Sequence, residues 1–411
     1  MEQRRRSCRA RRGARRSLPS TAGAGVPLLQ PVSTGFVAAI SGFASSFALV
    51  IAGLHAVGAS DAQASSGLLA LCVASGLITI LLSWRFRQPI SVVWSTPGAA
   101  VLIAASGGEV SFASAVGAFI VCGVLIALCG LWPWLGRAVT RIPTPLASAM
   151  LAGILLPICL APITAVVEHP LLASPIVLVW ALLLRLAPRW AVPAAMAVAV
   201  AVILASAGTE WLSRDGLAPV LVPVLPEFDP LVVVSLGLPL FIVTMAGQNV
   251  PGFVVMKSFG YEPPPRAVFI STGLGTVAGS VLGGHAINLA AITAAIAASP
   301  EAHPDRHRRW VAAASSGAVF IALGLGAGVA TAVVSAAPAI LIIAVAGLAV
   351  LGALVSSVSS ALDDARHRTA AIATFLVTAS GLTFLGIGAA FWGLLVGAAL
   401  MAWFSWGRGR K

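Results

Sequence analysis

The sequence predicts an all-α polytopic membrane protein with fourteen transmembrane segments, arranged as two inverted repeats of seven. Three observations support this fold class. Hydrophobic residues make up 59% of the 411 residues and charged residues only 9%, a balance outside the range of soluble globular proteins. The apolar residues come in separate runs, most of them long enough to cross a bilayer. The basic residues lie in alternate gaps between those runs, which is typical of membrane topology.

A basic head precedes the apolar runs. It carries eight arginines with no apolar run directly behind it, so residues 1–30 are predicted to be a cytoplasmic tail rather than a secretory signal. The first repeat, residues 31–215, holds runs at 35–58, 65–84, 91–107, 111–131, 146–166, 171–187 and 191–208. The second repeat, residues 216–406, holds runs at 231–256, 266–282, 284–299, 310–329, 332–357, 369–387 and 389–406. Because seven is odd, the second repeat enters the membrane upside down relative to the first.

The positions of lysine and arginine test this segment count. With the N-terminus in the cytoplasm, all but one of the 25 Lys and Arg residues fall in the tails or in gaps that face inward, the exception being Arg214. The positive-inside rule therefore predicts that both termini are cytoplasmic. The net charge of +12 reflects this topology, so membrane lipids and not nucleic acid are the expected partners. Arginine outnumbers lysine 23 to 2 in an Ala- and Gly-rich chain, which suggests a GC-rich bacterial genome and a plasma (inner) membrane.

The third segment of each repeat is short and starts with a stretch unsuited to a helix. Segment three has an extended, β-branched start followed by Thr96-Pro97, which predicts an N-cap at Thr96 and a proline at the first helical position. Segment ten starts with a glycine pair, and its half-helix is predicted to begin near Asn288 as the N-cap. Both segments are therefore predicted to be broken, with short extended stretches in the middle of the membrane. Continuous helices that are merely kinked are the alternative.

Two half-helices that begin inside the membrane can bind an anion. Each start carries unpaired N–H groups and the positive end of a helix dipole, and the inverted repeat points the two starts toward each other. An anion is expected between them. Ser95, Thr96 and the backbone at Gly98 are candidate ligands from segment three, and Asn288 from segment ten. The alternative for the hydroxyl groups is a hydrogen bond to their own helix backbone.

Three stretches of the chain carry a resemblance to a known family: MAGQNVPGFVVMKSFGY, GGHAINLAAITAAIAA and SSFALVIAGLHAVGASDAQASSGLLAL. Nearly the whole chain after residue 30 resembles the benzoate/proton symporter (BenE) family, and more distantly the nucleobase and sulfate-type carriers. This resemblance implies uptake of benzoate or a related aromatic carboxylate together with a proton. It also implies a core domain of segments 1–4 and 8–11 and a gate domain of segments 5–7 and 12–14. The substrate would lie between segments three and ten, beside segments one and eight. A homodimer is left open.

Two amides in segment eight stand where the nucleobase carriers have a carboxylate. Gln248 and Asn249 can donate hydrogen bonds and stay neutral, whereas a fixed carboxylate would repel an anionic substrate. Hydrogen bonding between helices is their alternative role. Candidates for an apolar wall against an aromatic ring are Phe43, Phe47, Trp94 and Phe253.

His285 is the candidate proton-coupling residue and also a candidate substrate ligand. No Asp or Glu lies in the middle of a predicted segment, and an ionisable side chain within a broken segment indicates function. His55, near the outer end of segment one, is a second candidate. A substrate that arrives as the neutral acid is a third possibility, in which no residue titrates.

Several other function classes lack support in the sequence. No nucleophile with its base and no inward-facing carboxylate pair are present, so the protein is not predicted to be an enzyme and has no catalytic residues. No GK[ST] loop supports ATP-driven transport. The five cysteines lack metal-binding spacing, so no metal or cofactor is expected. The predicted function is secondary active import of an aromatic carboxylate with a proton. A nucleobase or inorganic-anion carrier of the same architecture and an anion channel are the alternatives.

Overall fold

The computed structural model describes residues 29–105, 110–132, 134, 143–206, 217–218 and 220–406. Some sequence predictions lie outside the described residues. These are the basic tail up to residue 28 and the outward-facing position of Arg214. The described chain is largely helical.

The first half of the described chain contains one short strand among seven helices. Its elements are α1 (Leu29–Ala56), α2 (Asp61–Phe86), β1 (Val92–Trp94), α3 (Thr96–Ala104), α4 (Phe112–Leu131), α5 (Thr144–Glu168), α6 (Pro170–Leu186) and α7 (Pro188–Ser206). Helix α3 has only nine residues, or roughly 14 Å at 1.5 Å per residue. It is too short to cross a bilayer alone.

The second half of the described chain has a similar order of elements. These are α8 (Pro230–Ser258), α9 (Pro265–Ser280), β2 (Ile287–Leu289), α10 (Ala291–Ala298), α11 (Trp310–Gly324), α12 (Ala327–Ser335), α13 (Ala339–Leu362), α14 (Arg368–Ala379), β3 (Thr383–Phe384), β4 (Ile387–Gly388) and α15 (Ala389–Trp406). A 3₁₀ turn spans Arg306–Arg308. Helix α10, with eight residues, is as short as α3 and also follows directly on a strand.

Six helices of the described chain are long and apolar enough to cross a membrane, namely α1, α2, α4, α5, α8 and α13. A seventh span is formed if α11 and α12, which meet at a 59° bend, are counted together. The remaining apolar helices are shorter. Length and composition thus establish a mostly helical membrane protein, and the count of fourteen segments stays a prediction.

Three predicted segments have different bounds in the structure. The run predicted at 369–387 is helical only to Ala379 and then forms a hairpin of β3 and β4. Gly381 and Gly386 adopt φ values of 64° and 76°, which glycine allows at little cost and which interrupt a helix. The runs predicted at 310–329 and 332–357 are divided instead into α11, α12 and α13, because α11 ends at Gly324, Gly326 precedes α12 and Pro338 precedes α13.

The helices pack as two groups. One group contains α1, α2, α3, α4, α8, α9, α10 and α11, with its closest pairs α4 on α9 and α2 on α11. Helix α12 packs mainly on α2. The other contains α5, α6, α7, α13, α14 and α15, with α5 on α13 as its closest pair. Glycine permits the closest approaches. A Cβ at Gly317 of α11 would lie 2.7 Å from the Gly76 carbonyl of α2, so these two backbones touch.

Helix α8 contains two π-helical segments, at Val233–Gly237 and Met245–Asn249. Each lies two residues before a proline, Pro239 or Pro251. A proline has no N–H to donate and its ring collides with the carbonyl four residues earlier. Those carbonyls belong to Ser235 and Gly247, one in each π segment. The prolines therefore account for both irregular turns, and the second turn carries Gln248 and Asn249.

Candidate functional site

Strands β1 and β2 join the two halves of the chain as an antiparallel ribbon. The paired residues are Val92 with Leu289, Val93 with Asn288, and Trp94 with Ile287. Backbone bonds extend the ribbon at both ends, from Ser95 N to Ala286 O at 2.8 Å and from Ala290 N to Ser91 O at 2.9 Å. Because the strands are antiparallel, α3 and α10 leave opposite ends of the ribbon in opposite directions. The positive ends of both helix dipoles therefore adjoin one ribbon.

Two threonines that the sequence analysis did not single out hold the ribbon to α2 and α9. The Thr79 hydroxyl accepts from Val92 N at 2.8 Å and donates to Val92 O at 3.0 Å. The Thr276 hydroxyl accepts from Ile287 N at 3.1 Å. Each belongs to a row of three hydroxyl residues spaced four apart, Ser75, Thr79 and Ser83 on α2 and Thr272, Thr276 and Ser280 on α9. That spacing puts hydroxyls on one helix face and is the sequence signal that could have revealed them.

Helix α3 is capped by Ser95, not by Thr96 as predicted. The Ser95 hydroxyl accepts from Gly98 N at 3.1 Å and from the Thr244 hydroxyl of α8 at 3.0 Å. Its backbone is extended, at φ −78° and ψ 97°, as an N-cap requires. Thr96 is the first helical residue and is half-buried. A Cβ at Gly98 would lie 2.8 Å from the Ser95 hydroxyl and 2.7 Å from Leu240, so a larger residue would displace the cap.

Helix α10 has no side-chain cap. The residue before it, Ala290, has no acceptor to offer, and the helix begins at Ala291. The prediction that Asn288 caps this helix is wrong, because pairing with β1 keeps the chain extended for two more residues. Asn288 is fully buried in β2, where its Nδ2 donates to Leu289 O at 3.0 Å. Its Oδ1 has no hydrogen-bond partner among the described residues.

The two amides of α8 have different surroundings. Asn249 is fully buried; its Oδ1 accepts from Leu289 N at 2.9 Å, and its Nδ2 lies 3.3 Å from Met245 Sδ. Asn249 therefore ties α8 to the strand β2, whereas the alternative role considered for it was a hydrogen bond between helices. Gln248 is half-buried, and its amide makes no hydrogen bond within the part of the chain that the structure describes. Gln248 is the amide available to a ligand.

His285 lies directly before β2 and is fully buried. Its Nδ1 is 3.1 Å from the carbonyl oxygen of Ala286, and its ring meets Phe119 of α4 edge to face, with centroids 6.5 Å apart. Its Nε2 has no partner among the described residues. His55 lies elsewhere, at the end of α1, with its Nε2 3.4 Å from an Asp61 oxygen.

Aromatic rings connect α1 to the ribbon. Phe47 is buried and stacks on Phe43 at a centroid distance of 5.1 Å. Phe43, which is half-buried, meets Trp94 of β1 edge to face at 6.0 Å, and the Trp94 indole N–H donates to the Ser46 hydroxyl at 3.0 Å. Phe43 is therefore the more accessible of the stacked pair. Phe253 packs instead on Phe269 of α9.

The structure brings most of the predicted site residues to the ribbon. Ser95 accepts from Thr244 of α8, Asn249 of α8 accepts from Leu289 N of β2, and Asn288 pairs through its backbone with Val93 of β1. Thr96 and Gly98 lie in the first turn of α3. Phe47 stacks on Phe43, which in turn contacts Trp94 of β1. In the described ranges, no group of three or more His, Cys, Asp and Glu side chains could hold a metal ion.

Comparison with known proteins shows what this chain is similar to. The family model described as "Benzoate membrane transport protein" (BenE) matches residues 28–403. The inner membrane protein YdcO of Escherichia coli is 41% identical over 365 residues, covering 88% of this chain and 93% of that protein. The benzoate membrane transport protein of Acinetobacter baylyi is 29% identical over 378 residues, covering 92% of this chain and 95% of that protein.

Solved structures share the fold. The transmembrane domain of the cyanobacterial bicarbonate transporter BicA superposes with a TM-score of 0.60 at 16% identity, covering 92% of this chain and 99% of that domain. The structure of SLC26A9 superposes with a TM-score of 0.61 at 13% identity, covering 92% of this chain and 66% of that one. At these identities the likeness shows the architecture alone.

Proposed function

The chain belongs to the BenE family of benzoate membrane transport proteins, and from this premise we propose that it carries benzoate or a similar aromatic carboxylate together with a proton across the bacterial inner membrane. Membership makes it a membrane transporter and not an enzyme. The observation that carries the proposal is the ribbon, which collects the starts of two short helices at one buried place. Two positive dipole ends favour an anion there.

The proposed carboxylate site uses the donors that the protein leaves free. Ser95 already caps Gly98 N, and Asn249 already bonds Leu289 N. The open donors are the first N–H groups of α10, the Thr96 hydroxyl and the Gln248 amide. Asn288 bonds the backbone of β2 on one side of the proposed site, and Ser95 bonds the backbone of α3 on the other. Phe43, backed by Phe47, supplies the apolar wall for the ring.

We propose the fourteen-segment inverted repeat as the architecture, with α3 and α10 as half-helices of broken segments. Corresponding contacts in the two halves support it. Thr79 and Thr276, which lie on α2 and α9, each accept from the N–H of a strand residue. In the proposed repeat, α2 corresponds to α9, α4 to α11 and β1 to β2. The packing of α4 on α9 then corresponds to the packing of α11 on α2. The pairing of β1 with β2 joins two corresponding elements. Random packing of unrelated helices would not produce these pairs.

The two packing groups support the proposed core and gate domains. The group of α1, α2, α3, α4, α8, α9, α10 and α11 carries the ribbon and corresponds to the core. The group of α5, α6, α7, α13, α14 and α15 corresponds to the gate. Movement of the core against the gate would expose the ribbon to each side of the membrane in turn. Both termini are proposed to be cytoplasmic, from the distribution of basic residues.

His285 is the proposed proton-coupling residue. It is buried beside the ribbon and its Nε2 is unpartnered among the described residues, so this nitrogen can exchange a proton with the substrate or with water that enters on movement. We expect His285→Ala to abolish accumulation of benzoate driven by a pH gradient while exchange of internal for external benzoate continues. Uptake by this variant with wild-type pH dependence would remove His285 from the mechanism.

The direct test is uptake of radiolabelled benzoate into proteoliposomes under an imposed pH gradient. Wild-type protein should accumulate benzoate, and a proton uncoupler should abolish accumulation.

Gln248→Ala should raise the KM about ten-fold or more, because it removes a hydrogen bond to a charged group. Gln88→Ala is the matched control, since that half-buried glutamine bonds Glu262 O away from the ribbon. Uptake of uracil or bicarbonate in place of benzoate would favour the other carriers, and benzoate flux unaffected by the uncoupler would favour a channel.

A further inference from the structure

A second place in the molecule has the form of a ligand site. A cavity of about 480 Å³ lies between the two packing groups, within the range of roughly 300–1,000 Å³ that is usual for small-molecule sites. Val101 and Ala104 of α3 and Ser235 of α8 line one side. Helices α5, α13 and α14 and the β3–β4 hairpin line the other. The cavity lies at the C-terminal end of α3, whereas the ribbon adjoins its N-terminal end.

The chemistry of this cavity differs from that of the ribbon. Among the described residues that line it, none is charged, and most are alanine, isoleucine, glycine and proline. Its polar side chains are the hydroxyls of Thr164, Ser235, Thr378 and Thr383. Such a wall does not compensate for the lost hydration of a carboxylate. It suits an apolar body that carries one uncharged hydrogen-bonding group.

The Ser235 hydroxyl can meet a bound molecule. Ser235 is half-buried, and its hydroxyl makes no hydrogen bond among the described residues. Ser258, further along α8, shows the ordinary arrangement, in which the hydroxyl donates to a backbone carbonyl of its own helix, Val255 O, at 2.8 Å. On the other wall, the Oγ1 of Thr378 is fully buried against Gly393 of α15, so a molecule in the cavity does not reach it. The Ser235 hydroxyl is therefore available to a bound molecule.

The wall that carries Ser235 has an irregular turn. Ser235 lies in the first π-helical segment of α8, and such segments are frequent at functional sites. The second π segment of the same helix carries Gln248, thirteen residues further along, or roughly 20 Å at 1.5 Å per residue. One helix thus places an irregular turn at the cavity and another at the ribbon.

We infer that the cavity is a second ligand site, which takes a small aromatic acid in its uncharged form or an aromatic alcohol of the same shape. The aromatic part of this inference rests on the proposed function. The uncharged state follows from the absence of charge in the described lining, and Ser235 supplies the hydrogen bond. Under the proposed topology α3 runs toward the periplasm, so this site lies on the outer approach to the ribbon.

The test measures binding of 4-fluorobenzyl alcohol to the full-length protein in lipid nanodiscs by ¹⁹F NMR. Wild type should bind the alcohol, and Ser235→Ala should weaken binding about five-fold, the effect of one neutral hydrogen bond. Ser258→Ala, which removes a hydroxyl that donates to the backbone of the same helix away from the cavity, should leave the affinity unchanged. Ala104→Trp should abolish binding by filling the cavity. Val124→Trp, at an exposed position of α4 that does not line the cavity, should not.

Further measurements separate this inference from the proposed function. At about pH 8, where carboxylic acids are ionised, benzoate should not displace the alcohol. Gln248→Ala should bind the alcohol as wild type does. Equal affinities for Ser235→Ala and Ser258→Ala, unaltered binding by Ala104→Trp, or the same signal from empty nanodiscs would overturn the second site. Absence of benzoate uptake with the alcohol pattern intact would instead overturn the proposed function alone.

Discussion

At the ribbon, polar side chains of the same type perform different tasks. Asn249 bonds the backbone of β2, while its neighbour Gln248 keeps its amide free. Ser95 caps α3, while its neighbour Thr96 keeps its hydroxyl free of the cap. In each pair, one residue holds the backbone that forms the site and the next one can face the substrate. The side chains that hold the backbone and those that can face the substrate are all neutral. The positive ends of the α3 and α10 helix dipoles are therefore the main local source of electrostatic field.

Asn249→Asp tests the importance of neutrality at this place. The aspartate keeps an oxygen that can accept from Leu289 N, so the fold should be retained. It also introduces a negative charge beside the proposed anion, and even at an effective dielectric constant of 20 this repulsion is large at short range. We expect the KM for benzoate to rise at least ten-fold, most strongly at high pH where the carboxyl is ionised. Uptake assays between about pH 5.5 and pH 8 would measure this change.

Asn249→Ala provides the contrast. It removes the acceptor of Leu289 N without adding charge, and an unsatisfied buried N–H costs about 1–3 kcal/mol. The variant should therefore unfold at a lower temperature than Asn249→Asp. If instead Asn249→Asp transports benzoate with a wild-type KM at about pH 8, the anion does not bind near this residue.

The sequence located these residues but did not assign their tasks. Ser95 and Thr96 are both good N-caps, and only the extended backbone of Ser95 decides between them. Asn288 was a reasonable cap until its pairing with Val93 placed it in a strand. Gln248 and Asn249 lie in the same π-helical turn, and their side chains differ in the direction in which they leave it. Each choice depends on contacts between the halves of the chain, which local pattern does not contain.

At the scale of elements, Pro251 controls which way the amides of α8 point. Its missing N–H and its ring favour the π segment Met245–Asn249. Pro251→Ala should allow an ordinary α-helical turn in place of the wider π-helical one. This change would rotate Asn249 away from Leu289 N. We expect benzoate uptake to fall at least ten-fold with little loss of thermal stability, because the change restores a backbone hydrogen bond in place of one side-chain bond.

Pro170→Ala is the matched control for this variant. Pro170 occupies the first position of α6, where an N–H has no helical partner in any case. Its replacement should leave both uptake and stability as in wild type. Unchanged uptake by Pro251→Ala would mean that the orientation of the amides does not depend on the π segment.

A helix or strand could be predicted from the sequence where the signal for it lies within its own residues. The long apolar helices and the two interrupted segments have local signals in composition, glycine and proline. The pairing of β1 with β2 has none, since three-residue strands from distant parts of the chain meet only after the halves fold together. The β3–β4 hairpin was missed for a different reason. Its residues are apolar enough to extend the hydrophobic run of α14, and only Gly381 and Gly386 mark the turn.

At the scale of the whole molecule, the two halves repeat one another's contacts. The hydroxyl rows on α2 and α9 have the same spacing and both reach the ribbon. The glycine contact between α2 and α11 has a counterpart between α4 and α9, where a Cβ at Gly273 would lie 2.6 Å from Gly123 O. An inverted repeat accounts for these pairs because each contact has an equivalent when the two halves are exchanged. It also requires equivalent loops to face opposite sides of the membrane.

Labelling of single cysteines in a cysteine-free background tests that requirement. Val110, which follows α3, and position 305, which follows α10, are equivalent in the two repeats. A membrane-impermeant maleimide should label Val110→Cys from the periplasm of intact cells, but Asp305→Cys only after the inner membrane is permeabilised. Leu385→Cys, 71% exposed in the β3–β4 turn, should label as Val110→Cys does. The expectation follows from seven crossings between equivalent positions, an odd number. Labelling of Val110→Cys and Asp305→Cys from the same side would show an even number, and the two half-helices would then enter from one face and could not meet at the ribbon as proposed.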